Sequence, residues 1–127
     1  MKHTHMQKAV KRINEARELG WTEVDLSGLE IQEIPKELQE LADTLEELYL
    51  CYTKASDISP LSNLTNLKWL YLWGAGVSDI SPLADLTKLQ ALDLSSCPLV
   101  KSPANIQALK KLRENGCEIY GTKELMK

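Results

Sequence analysis

The side chains that could carry out chemistry in this sequence are few and widely spaced. Cys51 is a candidate nucleophile, but a catalytic thiol needs a general base beside it. Both histidines, His3 and His5, lie within the first five residues, far along the chain from Cys51. We therefore expect no cysteine-based catalysis, and we interpret Cys51 as a surface thiol.

Metal, acid–base and phosphate chemistry also lack the residue spacing that they need. His3 and His5 alternate with a threonine, but neither paired cysteines nor an H-E-x-x-H sequence is present to complete a zinc site. The neighbouring carboxylates Glu23 and Asp25 are expected to be solvated rather than enclosed in a pocket, which argues against acid–base catalysis. No glycine-rich phosphate-binding motif occurs. We therefore expect no metal, no cofactor and no enzymatic activity.

Composition and charge exclude two classes of partner. The chain has 127 residues, of which 43% are hydrophobic, and this indicates one folded domain. Its formal net charge of −3 argues against binding of nucleic acid through a basic surface, and no apolar run is long enough to span a membrane. The three cysteines show no metal-like pairing, and no secretory hydrophobic region follows the polar start. Both features favour a cytoplasmic location.

A repeat of 22 residues dominates the sequence. Residues 56–72 and 78–94 align without a gap, and both begin with S-D-I-S-P-L and end with L-x-x-L-x-L. Related hexads start at Trp21 and Leu45, so the starts at 21, 45, 67 and 89 are separated by 24, 22 and 22 residues. Residues two apart point to the same side of a strand, so each hexad predicts a short strand with one apolar side. One repeat alone cannot bury that side, and the repeats are therefore expected to stack.

This pattern resembles the leucine-rich repeat (LRR) family, in its 22-residue class with a D-I-S-P-L sequence, to which bacterial internalins and a regulatory subunit of a protein phosphatase are similar. The resemblance covers about residues 21–115. It implies an α/β solenoid in which parallel strands line a concave face and short helical or 3-10 turns lie on the convex face. It also implies a protein- or peptide-binding module without catalysis. On the convex side, Ser59 and Ser81 each precede a proline and are expected to cap the helical turns.

Helical segments are expected to close both ends of the stack. Apolar residues recur at helical spacing over 5–19, and Gly20 ends this helix, which we expect to pack on Trp21 and Val24. A second helix is expected over 103–114, where a proline occupies the first helical position. The expected segments are a helical N-terminal cap over 1–20, leucine-rich repeats over 21–102, and a C-terminal cap helix, last strand and tail over 103–127.

The concave face carries the candidate binding residues. Of the seven Trp and Tyr residues, five fall at concave positions of two adjacent repeats: Tyr49, Tyr52, Trp69, Tyr71 and Trp73. Such a cluster exceeds the apolar patch usual on a monomer, and Tyr and Trp are enriched in binding hot spots. Asp25, Glu47 and Asp93 are expected to frame it. This arrangement favours a protein or peptide partner with an apolar or aromatic centre and a basic rim.

Other interpretations of the same face stay open. The rings could instead stabilise the sheet through cross-strand contacts, and a homodimer formed through this face would also cover them. The chain could be a self-associating or engineered repeat scaffold, or the targeting fragment of a larger GTPase, ligase or phosphatase assembly. A fold alone does not decide between these functions.

Overall fold

Five short parallel strands stack side by side in chain order within residues 4–123, the range that the computed structural model describes. The strands are β1 (Glu23–Asp25), β2 (Glu47–Tyr49), β3 (Trp69–Tyr71), β4 (Ala91–Asp93) and β5 (Glu118–Tyr120). Each strand pairs with the next in a register that advances by one repeat, so that Leu48 lies opposite Leu70 and Leu70 lies opposite Leu92. The result is the α/β solenoid that the repeat predicts.

Short 3-10 segments and two α-helices connect and flank the strands. Helix α1 spans His5–Leu19 and helix α2 spans Pro103–Glu114. The 3-10 segments are Lys36–Leu41, Ser59–Asn63 and Ser81–Leu83. These segments pack on one another along the convex side, and α2 continues their row beyond the last one. Residues 1–3 and 124–127 of the two predicted end segments lie outside the described range.

The core is a stack of leucines contributed by equivalent positions of consecutive repeats. The three leucines of each complete hexad are buried: Leu45, Leu48 and Leu50; Leu67, Leu70 and Leu72; Leu89, Leu92 and Leu94. Full burial of one such side chain contributes roughly 1.5–3 kcal/mol, and most of this burial comes from the adjacent repeats. The core therefore exists only when the repeats are stacked in register.

Helix α1 covers the apolar end of the stack beside β1. It begins with a capping box, in which Gln7 N–H donates to Thr4 Oγ1 at 3.0 Å and Thr4 N–H donates to Gln7 Oε1 at 2.8 Å. It ends at Gly20, which has a left-handed φ of +71°. Its buried face packs on β1, and Val24 is buried as expected. Trp21 is only half buried, with 50% of its surface exposed.

Aspartates rather than the predicted serines cap the convex 3-10 segments. Asp57 Oδ1 accepts the N–H of Ser59, and Asp79 Oδ1 accepts the N–H of Ser81, both at 2.9 Å. Hydrogen bonds from the backbone N–H and the side chain of Ser59 lower the pKa of Asp57, and hydrogen bonds from the side chain and the backbone N–H of Ser81 lower the pKa of Asp79. The serine hydroxyls do not cap these segments. In the first segment, the N–H of Leu61 that such a cap would accept already donates to a backbone carbonyl. Prediction of the two serine caps was therefore wrong.

A buried asparagine joins helix α2 to the preceding repeat. Asn105 is 1% exposed, and its Oδ1 accepts the N–H of Ile80 at 2.8 Å. Its Nδ2 donates to the carbonyls of Ser78 at 2.8 Å and Val100 at 2.7 Å. Ser102 caps the helix by accepting the N–H of Asn105 at 3.1 Å, directly before the proline that was expected at the first helical position. Asn105 thus satisfies three backbone groups that the fold removes from water.

Replacement of Asn105 by leucine is expected to lower the free energy of unfolding by roughly 1–3 kcal/mol, because the N–H of Ile80 loses its partner and the carbonyls of Ser78 and Val100 each lose one of two donors. Urea denaturation followed by circular dichroism measures this change. The matched control is Gln107→Leu on the exposed face of the same helix, which is expected to change stability by less than about 0.5 kcal/mol. Equal stability of the two variants would contradict the role assigned to Asn105.

Candidate functional site

Two rows of side chains cross the concave face of the sheet. In each strand the central residue faces the core, so the residues on either side of it face outward. The first row consists of Glu23, Glu47, Trp69, Ala91 and Glu118. The second row consists of Asp25, Tyr49, Tyr71, Asp93 and Tyr120. Six of the eight sequence-predicted residues lie in these two rows. The other two, Tyr52 and Trp73, lie in the turns that follow β2 and β3. We call the two rows, together with Cys51, Tyr52 and Trp73, the concave surface.

A stacked pair of tyrosines lies at the centre of the concave surface. The rings of Tyr49 and Tyr71 lie 4.6 Å apart with an interplanar angle of 13°. Adjacent strands are spaced by nearly this distance, so the register itself brings the rings into contact. Tyr49 also donates its hydroxyl to Glu47 Oε1 at 2.8 Å. This hydrogen bond, together with partial burial, raises the pKa of Tyr49, and partial burial followed by the charge of Glu47 raises the pKa of Tyr71. Both phenols are therefore neutral.

A second aromatic pair lies where strands β2 and β3 run into their turns. The rings of Tyr52 and Trp73 are 5.6 Å apart and tilted by 42°. Tyr52 is 60% exposed and Trp73 is 47% exposed, so this pair presents more apolar surface to solvent than the stacked tyrosines do. The five predicted aromatic residues thus form two pairs plus Trp69, rather than one continuous cluster.

The backbone is left-handed at the eighth position of each repeat, counted from the first residue of its hexad at 21, 45, 67 or 89. The φ angles are +78° at Gly28, +58° at Tyr52, +72° at Gly74 and +60° at Ser96. This conformation costs an ordinary residue about 1–2 kcal/mol, whereas glycine adopts it freely. The sequence placed Tyr52 on the concave side but did not predict this conformation, although glycine at two of the four positions was a signal for it. Tyr52 therefore occupies a strained position.

The ring of Tyr52 fills the space that a side chain at Gly74 would need. A Cβ atom placed on Gly74 would lie 2.7 Å from Cδ1 of Tyr52, far inside van der Waals contact. The equivalent Gly28 has a similar φ, and a Cβ atom there would have no neighbour within 4 Å. Gly74 is therefore required by the neighbouring ring as well as by the turn.

Trp69 is accompanied by a cation that the sequence analysis did not single out. Nζ of Lys68 lies 5.9 Å from the centroid of the Trp69 ring, within the range of a cation–π contact. The same ammonium lies 3.3 Å from Oε1 of Glu46. The only signal in the sequence is the adjacency of lysine and tryptophan, which does not by itself predict that the cation folds over the ring.

Two of the predicted acidic residues, Asp25 and Asp93, lie on the strands that flank the aromatic centre, whereas Glu47 lies on β2 opposite Trp69. Each also has a local partner. Asp25 Oδ1 accepts the N–H of Ser27, and Asp93 Oδ1 accepts the N–H of Ser95, both at 2.9 Å. Glu47 accepts the hydroxyl of Tyr49, as described above. These carboxylates therefore shape their own turns and strands while they give the surface its negative charge.

Carboxylates on the first row are close enough to influence one another. Glu23 lies opposite Glu47 in the strand register. Partial loss of water around its carboxylate raises the pKa of Glu23, and repulsion from Glu47 raises it further. On β5 the sequence analysis missed Glu118, which accepts the hydroxyl of Tyr120 at 2.8 Å in a repetition of the Glu47–Tyr49 pair.

Within residues 4–123 the three cysteines and His5 do not form a reactive group. Burial raises the pKa of Cys97 and of Cys117 to about 11 in each case, so both remain protonated thiols. Cys51 is partly exposed, as predicted. Nδ1 of His5 accepts the N–H of Glu30, and His3 lies outside the described residues. Among residues 4–123 no group of three or more His, Cys, Asp or Glu residues could hold a metal ion.

Comparisons with known proteins agree with the repeat architecture. The family model described as Leucine Rich repeats (2 copies) matches residues 65–111. A solved LRR protein of Leptospira interrogans is 29% identical over 84% of this chain, with a TM-score of 0.67. This chain has the leucine-rich repeat (LRR) fold. The comparison with curated proteins gives no match. No helix within residues 4–123 is long and apolar enough to cross a membrane.

Two internalins of Listeria monocytogenes share the fold of this LRR protein. Internalin C2 is 22% identical over 91% of the chain, with a TM-score of 0.72. Internalin F is 24% identical over 92% of the chain, with a TM-score of 0.61. The LRR protein spans 52% and 44% of these two structures and 27% of the Leptospira structure. It therefore spans about a quarter to a half of the length of these structures.

The paired glycines allow backbone strain to be separated from ring contact. Gly28→Ala is expected to lower the free energy of unfolding by about 1–2 kcal/mol, the cost of the left-handed backbone alone. Gly74→Ala is expected to cost more, because the new methyl group must also displace the Tyr52 ring. Urea denaturation measures both values, and Tyr52→Ala in the Gly74→Ala background is the control that removes the clash. If the two alanine variants lost equal stability, the packing of Tyr52 on Gly74 would be contradicted.

Proposed function

We propose that this LRR protein is a non-catalytic module that binds a protein or peptide through its concave surface. The LRR fold generally mediates protein–protein interaction, and this supports the general class of function. The finer assignment is that five aromatic residues form the contact centre: Tyr49, Tyr52, Trp69, Tyr71 and Trp73. Asp25, Glu47 and Asp93 form an acidic rim, which favours a partner with basic residues around an apolar or aromatic centre.

The exposed pair Tyr52 and Trp73 carries this proposal. Tyrosine at position 52 costs about 1–2 kcal/mol of backbone strain that glycine would avoid. An aromatic pair returns about 0.5–1.5 kcal/mol beyond its buried area, and both rings remain about half exposed. Stability alone therefore gives little or no advantage to tyrosine over glycine at this turn. Strained residues with exposed aromatic rings are typical of contact sites, which supports recognition rather than sheet stabilisation.

The acidic rim argues against a second copy of the chain as the occupant of the concave surface. Face-to-face pairing of two copies would bring together two surfaces that carry the same excess of carboxylates. Like charges at such close distance are unfavourable, and Lys68 is already engaged with Glu46 and Trp69. A partner with basic side chains is therefore favoured over self-association.

The test separates binding from stability with Tyr52→Gly and Trp73→Ala. Immobilised wild-type protein and each variant are compared in quantitative capture of proteins from a lysate of the source cells. The matched control is Val100→Ala, which shortens an exposed apolar residue that belongs to neither aromatic pair. Both aromatic variants are expected to lose the partners that the wild type and the control retain. The melting temperature of Tyr52→Gly is expected to equal or exceed that of the wild type, because the backbone strain is relieved.

Two results would contradict the proposal. One is retention of the same partners by both aromatic variants. The other is a loss of several degrees in the melting temperature of Tyr52→Gly, which would mean that the ring serves the sheet. Sedimentation equilibrium of the wild type completes the test, because concentration-dependent dimerisation that Trp73→Ala abolishes would identify a homodimer instead.

A further inference from the structure

The outer edge of β1 directs backbone hydrogen-bonding groups away from the sheet. On its inner side, the carbonyl of Thr22 accepts the N–H of Glu47 at 3.1 Å, and Leu26 N–H donates to the carbonyl of Tyr49 at 2.9 Å. Successive residues of a strand direct their backbone groups to opposite sides, so those of Glu23 and Asp25 face away from β2. Within residues 4–123 no strand lies beyond β1. Such an edge is a template for an added strand.

A groove runs between helix α1 and this edge. Its volume is about 780 Å³, and Arg12, Glu15, Trp21, Glu23 and Asp25 are among the residues that line it. This volume lies within the range of ligand-binding clefts. Trp21 is the half-exposed ring identified above, and it supplies the main apolar surface of the groove. The groove is separate from the two aromatic pairs of the concave surface, which lie on β2, β3 and their turns.

A side chain already occupies one of the hydrogen-bonding positions on the edge. Nη1 of Arg12 donates to the backbone carbonyl of Asp25 at 2.9 Å. This is the bond that a backbone N–H of an added strand would make. Because the Arg12 side chain is exposed, its guanidinium can leave this carbonyl for solvent when a strand takes its place.

The charges along the groove decide what kind of strand it accepts. If the β1 edges of two copies paired, Glu23 and Asp25 of one copy would lie opposite the same carboxylates of the other, which is destabilising. A peptide with arginine or lysine instead meets the carboxylates of Glu15, Glu23 and Asp25. The exposed indole of Trp21 adds a cation–π site for one of those basic side chains.

We propose that the outer edge of β1 binds an extended peptide rich in arginine or lysine as an additional strand of the sheet, with one basic side chain packed on Trp21. Backbone hydrogen bonds to Glu23 and Asp25 provide the affinity, and the carboxylates of the groove select the basic side chains. This site goes beyond the function proposed for the concave surface and does not depend on it.

The probe is a fluorescein-labelled hexapeptide of alternating valine and arginine, titrated into the full-length protein and followed by fluorescence anisotropy. Two companion peptides carry either a methyl group on every backbone nitrogen or glutamate in place of arginine. Hydrogen exchange of the Glu23 and Asp25 amides, measured by NMR, reports whether the edge is occupied. We expect binding of the unmodified peptide, slower exchange of both amides, and affinity weakened by about tenfold or more for both companions.

Variants at one position separate the backbone from the charge. Glu23→Pro removes the outward N–H, at an edge position where proline is tolerated, and is expected to weaken binding by about tenfold or more. Glu23→Gln keeps that N–H and is expected to weaken binding less. Trp73→Ala is expected to bind the peptide as the wild type does, so this result distinguishes the β1 site from the concave surface.

Three results would overturn the inference. They are no binding of the unmodified peptide, equal binding of the peptide with methylated nitrogens, or loss of binding in Trp73→Ala. The unmodified peptide and the peptide with methylated nitrogens are compared on the wild-type protein, so this comparison tests strand addition even if Glu23→Pro does not fold.

Discussion

The parallel backbone ladder between consecutive repeats is the interaction on which the rest of the structure depends. Leu26 N–H donates to Tyr49 O, Leu50 N–H to Tyr71 O, and Leu72 N–H to Asp93 O, all at 2.8–2.9 Å. These bonds fix a register in which each residue lies beside its equivalent in the next repeat. The leucine stack and the two rows of the concave face both follow from that register.

The same ladder explains the strained turns. It continues past the strands, where Gly28, Tyr52 and Gly74 each donate their N–H to a carbonyl of the following repeat at 2.8–2.9 Å. Keeping these bonds while the chain turns toward the convex side requires a left-handed residue at the eighth position. Tyr52 accepts that conformation and places its ring on Gly74 and beside Trp73. The left-handed turn that the ladder requires thereby presents the exposed pair Tyr52 and Trp73, which supports the proposed function.

Much of the architecture could be predicted from the sequence because it is periodic. The hexads predicted the strands, their alternation predicted which side chains face outward, and Pro103 predicted the start of α2. Contacts that do not repeat were missed. The three hydrogen bonds of Asn105 and the contact of Lys68 with Trp69 depend on where two side chains meet after folding, which spacing does not encode.

The errors at the ends and turns have a similar cause. Ser59 and Ser81 matched a known capping pattern. In the 3-10 turns, however, no backbone N–H donates to these hydroxyls, and the aspartates two residues earlier cap the segments instead. Trp21 occupies the position of a buried leucine but is half exposed, which the repeat pattern did not predict. For the concave surface, the sequence predicted the face on which the residues lie, whereas the role of that face in binding stays a prediction.

The central claim is that a register of one repeat gathers the aromatic rings on one face. Nuclear Overhauser contacts between ring protons measure this most directly. The account predicts strong contacts between Tyr49 and Tyr71, which are 22 residues apart, and between Tyr52 and Trp73. Absence of both contacts, or contacts of the Trp73 ring with the buried leucines instead, would contradict it.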